Sequence, residues 1–166
     1  LSAMAGAIST NPEYNARFDL DERSRNQKFA GLVLNCGVYD LAKAVLQPFR
    51  NIKLYVQSYC GGKPLDELTE EERKEISPIH YVTSAFPPVF AISAERDPLA
   101  VLTFDMVAAL REKGVEVEHY HGKGRAAVHA FAVVQILKIS RQAMFGIRTF
   151  LRRHTDEGLK LRIKAK

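Results

Sequence analysis

Cysteine, long apolar runs and compositional bias are all scarce in this chain of 166 residues. Its two cysteines, Cys36 and Cys60, share no short spacing. They make neither a zinc motif nor a disulfide scaffold, and reduced, structural thiols are expected. No stretch approaches the roughly 18 consecutive apolar residues that a membrane helix requires, so no transmembrane segment is expected. A secretory signal is also missing, which makes the cytoplasm the default compartment. Leu1-Ser2-Ala3-Met4-Ala5-Gly6-Ala7-Ile8 nevertheless reads as the middle of a helix without an N-cap, and a longer parent chain with a leader is compatible with it. There is no internal repeat and no low-complexity segment. What remains is ordinary globular composition, 46% hydrophobic, with enough chain for one core and no sign of a disordered or collagen-like class. The net charge of +5 is modest. Much of it lies in Arg148, Arg152, Arg153, Lys160, Arg162, Lys164 and Lys166, read as a solvated helix end followed by a frayed terminus.

Periodicity supplies the elements. A small-residue helix runs to about Ser9 and stops at Asn11-Pro12, and a polar connector spans Asp19 to Lys28. Phe29 to Cys36 is a nearly continuous apolar run, as expected of a parallel strand buried on both faces. From Leu41 to Ile76 the pattern turns helical. Val45, Leu46, Phe49, Ile52, Leu54, Tyr55 and Val56 predict a broad apolar face, and Thr69 to Glu72 forms a capping-box signature. Val89 to Ser93 predicts a second strand. Val101 to Lys113 predicts an amphipathic helix facing inward through Leu102, Met106, Ala109 and Leu110, with Gly114 as its stop. Val115 to Tyr120 alternates like an outer strand, and Ser140 to His154 predicts a last helix with Ala143, Ile147, Phe150 and Leu151 inward. Alternating strands and helices specify an α/β class with a parallel sheet flanked by helices.

Two segments carry the chemistry. Ala94-Glu95-Arg96-Asp97-Pro98-Leu99 follows the second strand, and Val128-His129-Ala130-Phe131 follows the third. In open parallel sheets functional groups collect beyond the carboxyl ends of the strands. A carboxylate bonded to one imidazole nitrogen fixes the tautomer and stabilises the imidazolium formed at the other. Taken singly, Asp97 is a turn acid and His129 a structural histidine; in this order they read as the acid and base of a triad. Other groupings carry less. Asp40 is an alternative acid or a helix cap. His119-x-His121, two apart on a strand, share a face but lack a convincing third metal ligand. Gly122-Lys123-Gly124 lacks the rest of a phosphate-loop pattern and reads as a flexible loop leading to His129.

Ser77-Pro78-Ile79, Phe86-Pro87-Pro88-Val89, Glu95 to Leu99, Leu110 to Val117 and His129-Ala130-Phe131 together resemble the carboxy-terminal part of an α/β-hydrolase. The nearest group is the hormone-sensitive-lipase-like carboxylesterases, and the likeness runs from the opening helix to Leu151. It implies that Asp97 and His129 are catalytic, that small-molecule esters with short or medium acyl chains are the substrates, and that no cofactor or metal is needed. It further implies that Phe49, Tyr55 and Tyr59 line a substrate pocket. The opening helix is similar to the one following the family's nucleophile elbow, Gly-x-Ser-x-Gly, for which the chain offers no substitute. Ser58 lies in a helical context with no glycine before it, and the His-Gly-Gly oxyanion segment is also missing.

On this reading residues 1–166 form a single partial domain. It divides into a post-nucleophile helix and strand (1–40), a helical cap-like insert (41–76), the elements carrying acid and histidine (77–154) and a basic tail (155–166). The chain alone is expected to be inactive, because a triad works as a unit. Two other classes stay open: a non-catalytic binding or interaction module derived from a hydrolase, and an anion binder using the tail. An amidase or peptidase of the same fold is a neighbouring possibility. Nucleic acid is not an expected partner. An unpaired edge on the Phe29 to Cys36 strand would favour self-association or pairing with another chain.

Overall fold

The structure, a computed structural model, describes residues 1–155. Its centre is a parallel sheet of three strands, β1 (Leu32–Asn35), β2 (Val89–Ala94) and β3 (Val117–Gly122), in the order β1-β2-β3. Leu32 pairs with Val89 across one ladder and Val89 with Val117 across the other, so the three strands start level. The helices, in chain order, are α1 (Ser2–Thr10), α2 (Pro12–Asn15), α3 (Glu22–Arg25), α4 (Leu41–Ala44), α5 (Ile52–Tyr59), α6 (Glu70–Glu75), α7 (Ala100–Glu112) and α8 (Lys138–His154). Two 3-10 turns, Pro78–Tyr81 and Phe131–Val133, complete the set.

The period of two along each strand divides the core. Leu32, Leu34, Val89 and Ala91 join α1 and α7 on one face, through Ala3, Ala7, Leu102, Met106 and Leu110. Phe90, Ile92 and Ala94 face the other way, onto Phe131, Ala143 and Phe150. Every residue of β2 is buried, as a central parallel strand requires.

Several sequence expectations need correction. The first strand is confined to Leu32–Asn35, and only Leu32 and Leu34 are fully buried in it. α8 packs across β2 and β3, which leaves the α8 side of β1, with Val33 and Asn35, partly open. The apolar run from Val45 to Tyr59 is not one helix, since α5 begins at Ile52. Within it Ile52 and Val56 are buried, whereas Leu46, Leu54 and Tyr55 face solvent. β3 starts at Val117 rather than Val115. It is half-buried along most of its length instead of alternating, because α7 lies against one face and α8 against the other. Leu151 is exposed although expected inward. The capping box is present: Thr69 Oγ1 accepts from the Glu72 amide and Glu72 Oε2 from the Thr69 amide. Both cysteines are free thiols. Apart from Thr155, the basic tail lies outside the described residues.

Candidate functional site

Asp97 and His129 meet. His129 Nδ1 and Asp97 Oδ2 are 2.9 Å apart. A carboxylate only accepts, so Nδ1 carries a proton, and in the neutral ring Nε2 keeps its lone pair. The acid is held from below: the turn after β2 brings the Leu99 amide to Asp97 Oδ1 at 2.9 Å, and α7 starts immediately after. A helix amino terminus favours a negative charge there. The Asp97 side chain is wholly buried, and that of His129 is 36% exposed. One partner is therefore fixed, and the other presents a free nitrogen to solvent or substrate.

The two loops are stitched together. Glu95 donates its amide to the Gly122 carbonyl and Arg96 to that of Ala127, both at 2.9 Å. Glu95 Oε2 accepts from the Gly124 amide at 2.6 Å. The Gly122-Lys123-Gly124 segment is thus a brace for the histidine loop. Phe131, two residues past His129, is 1% exposed and anchors that loop in the core. Ala130 between them adopts a left-handed φ of 55°. For a residue with a Cβ this costs on the order of 1–3 kcal/mol and persists only where its surroundings over-determine it.

Cys36 joins the pair. It follows β1 with a φ of 46°, and its sulfur belongs to a cluster with Asp97 and His129 in which the ligating atoms lie within 4.8 Å of one another. Burial, the Ala130 amide and the Asp97 charge act on this thiol; burial dominates and raises its pKa to about 11. A thiol of that kind stays protonated at neutral pH and does not attack. Sequence alone gave Cys36 only a structural part. The signal that could have placed it here is its position at the carboxyl end of a parallel strand.

The expected pocket residues divide. The Phe49 ring meets the His129 imidazole edge-on, with centroids 4.9 Å apart. Tyr55 and Tyr59 instead line a groove of about 410 Å³ between the start of α1, β1 and α5. Asn35 and Gly37, on either side of Cys36, also line it, so the groove ends beside the site. Asp40, the alternative acid, caps α4 by accepting from the Lys43 amide at 3.0 Å. His119 and His121 do not approach His129; both bond to Ser93. Among the described residues no side chain bonds to Nε2 of His129, and no helix is long and apolar enough to cross a membrane.

No protein-family model and no curated protein matches the chain. Solved structures do. Esterase B from Lactobacillus rhamnosis aligns with a TM-score of 0.70 at 16% identity, over 90% of this chain and 48% of that one. A carboxylesterase from Lactobacillus plantarum gives 0.62 at 22% identity, over 95% and 54%. An acetyl ester-xyloside bifunctional hydrolase from Caldicellulosiruptor lactoaceticus gives 0.61 at 15%, over 90% and 51%. The chain spans about half the length of these proteins, and over that half its fold is the one seen in α/β-hydrolase esterases.

Proposed function

We propose that this chain supplies the acid and the base of a serine-dependent carboxylic-ester hydrolase. The observation that carries the reading is the 2.9 Å bond between a buried carboxylate and a partly exposed imidazole. Asp97 orients His129 and stabilises its charged form. His129, through Nε2, takes the proton of an attacking hydroxyl and returns it to the leaving alcohol. The hydroxyl and the oxyanion donors are not among the described residues, and the reading needs them delivered beside Nε2 by other polypeptide. Phe49 bounds the space next to His129, and the groove holding Tyr55 and Tyr59 accommodates the acyl or alcohol portion of a small ester. The esterase neighbours support this class of substrate, and the hormone-sensitive-lipase-like group remains the family we favour.

A second reading, a hydrolase-derived binding module without catalysis, is favoured by the lack of any nucleophile on Nε2 among the described residues. One experiment separates the two: p-nitrophenyl butyrate turnover, with and without a serine-directed phosphonate. It is applied to this chain and to the protein encoded together with whatever sequence lies upstream of Leu1. This chain alone should stay near background. If the upstream sequence carries a Gly-x-Ser-x-Gly elbow, the longer protein should turn over ester and be blocked by the phosphonate. His129→Ala should then lower kcat by about a million-fold and Asp97→Asn by about 10,000-fold. Turnover indifferent to His129→Ala contradicts the proposal, and an upstream sequence without a nucleophile favours the binding module.

A further inference from the structure

The acid–base chemistry proposed above gives Cys36 no part, yet the fold brings its side chain to the site. β1 ends at Asn35, and Cys36 continues with its amide on the Ile92 carbonyl at 2.9 Å, so its backbone stays docked on β2. The residue is buried. Its sulfur, a carboxylate oxygen of Asp97 and a ring nitrogen of His129 lie within 4.8 Å of one another. The thiol has the Asp97 carboxylate and the Ala130 amide as hydrogen-bonding partners. Left-handed φ is uncommon for a residue with a Cβ and persists where the surroundings over-determine it. Of the three non-glycine residues with such a φ among the described residues, two meet here, Cys36 and Ala130.

From this geometry we infer that Cys36 is a positioning residue for the Asp97–His129 pair. Its thiol donates to the Asp97 carboxylate and accepts from the Ala130 amide, so that the end of β1 fixes the acid and the histidine loop relative to each other. The inference rests on the acid-and-base reading and deepens it. A carboxylate offers about four acceptor positions. His129 Nδ1 takes one on Oδ2 and the Leu99 amide one on Oδ1, which leaves room for a third donor. Burial keeps the thiol protonated at neutral pH, as a donor must be. Asp97 follows β2 and His129 follows β3, so the thiol brings the remaining strand of the sheet to bear on the pair. A serine hydroxyl fills both hydrogen-bonding roles at slightly shorter reach, and an alanine methyl fills neither.

Two spectroscopic readings of the full chain test this. The first leaves position 36 untouched. The Raman S–H stretch of Cys36, told from that of Cys60 by Cys60→Ser, should lie below that of a thiol without a partner and rise in Asp97→Asn. The second is the His129 Nδ1–H resonance. In Cys36→Ala it should exchange with water at least about tenfold faster, the worth of a hydrogen bond to a charged group, and Cys36→Ser should restore the slower rate. An S–H band at the position of an unpartnered thiol overturns the inference, and so does an Nδ1–H rate unchanged in Cys36→Ala. A loss that serine does not restore also overturns it, because packing rather than hydrogen bonding is then at work. If the unsubstituted chain shows no Nδ1–H resonance that depends on Asp97, the acid-and-base reading itself fails, and this inference falls with it.

Discussion

Gly122 closes β3 against the anchor of the histidine loop. A Cβ at this position would stand 2.7 Å from Phe131 Cζ and 2.9 Å from Ile139 Cδ1. Phe131 has no room to retreat, because it is 1% exposed and packs in the core between the sheet and α8. Gly122→Ala should therefore cost about 1–3 kcal/mol through overpacking, measured by urea unfolding, and an unchanged midpoint would show that the loop has slack. At this scale the sequence was legible where chemistry coincided with punctuation. Asp97 sits in an Asp-Pro turn after an apolar run, and His129 just past the next run. Cys36 was not legible as part of the site. Its placement depends on where β1 ends and on a left-handed backbone angle, and neither leaves a mark in hydrophobic periodicity.

α6 shows how a short element is held by its ends. Glu72 accepts from the Lys63 ammonium, at 2.7 and 2.9 Å, and from the Thr69 amide. The Lys63 bond, followed by those to Thr69, lowers the Glu72 pKa from the usual 4.5 to about 2. A carboxyl whose folded pKa is depressed contributes stability above its unfolded value, and the contribution is lost as pH falls through the folded one. Protection of the α6 amides, measured against their intrinsic exchange rates at each pH, should therefore fall between about pH 4.5 and pH 2, and Lys63→Met should flatten that dependence; an identical profile in both would contradict it. The capping box could be read from Thr69 and Glu72 because both partners are four letters of sequence. The inward face of α5 could not. Its apolar residues outnumber the places available in the core, and tertiary packing chose Ile52 and Val56 over Leu54 and Tyr55. β1 was overestimated for a related reason, since an apolar run does not reveal that α8 passes over β2 and β3 instead.

Across the whole molecule, the sheet is closed on neither side among the described residues. Leu32 and Cys36 direct their amides to β2, so the strand period leaves those of Val33 and Asn35 facing away from it. The buried Asn35 Oδ1 also lacks a partner, and the groove lined by Tyr55 and Tyr59 runs along the same edge. Such an edge is a template for another strand. The chain should associate as its concentration rises, seen by sedimentation velocity, and the Val33 and Asn35 amides should exchange slowly only in the associated state. A monomer at every concentration would contradict this. The proposal that the chain provides an acid and a base depends on one bond inside this frame, and long-range nitrogen–proton NMR of His129 reads it directly. In its neutral form the ring should be the Nδ1–H tautomer, and Asp97→Ala should convert it to a mixture. A ring that already carries its proton on Nε2, or that does not respond to Asp97→Ala, would contradict the account.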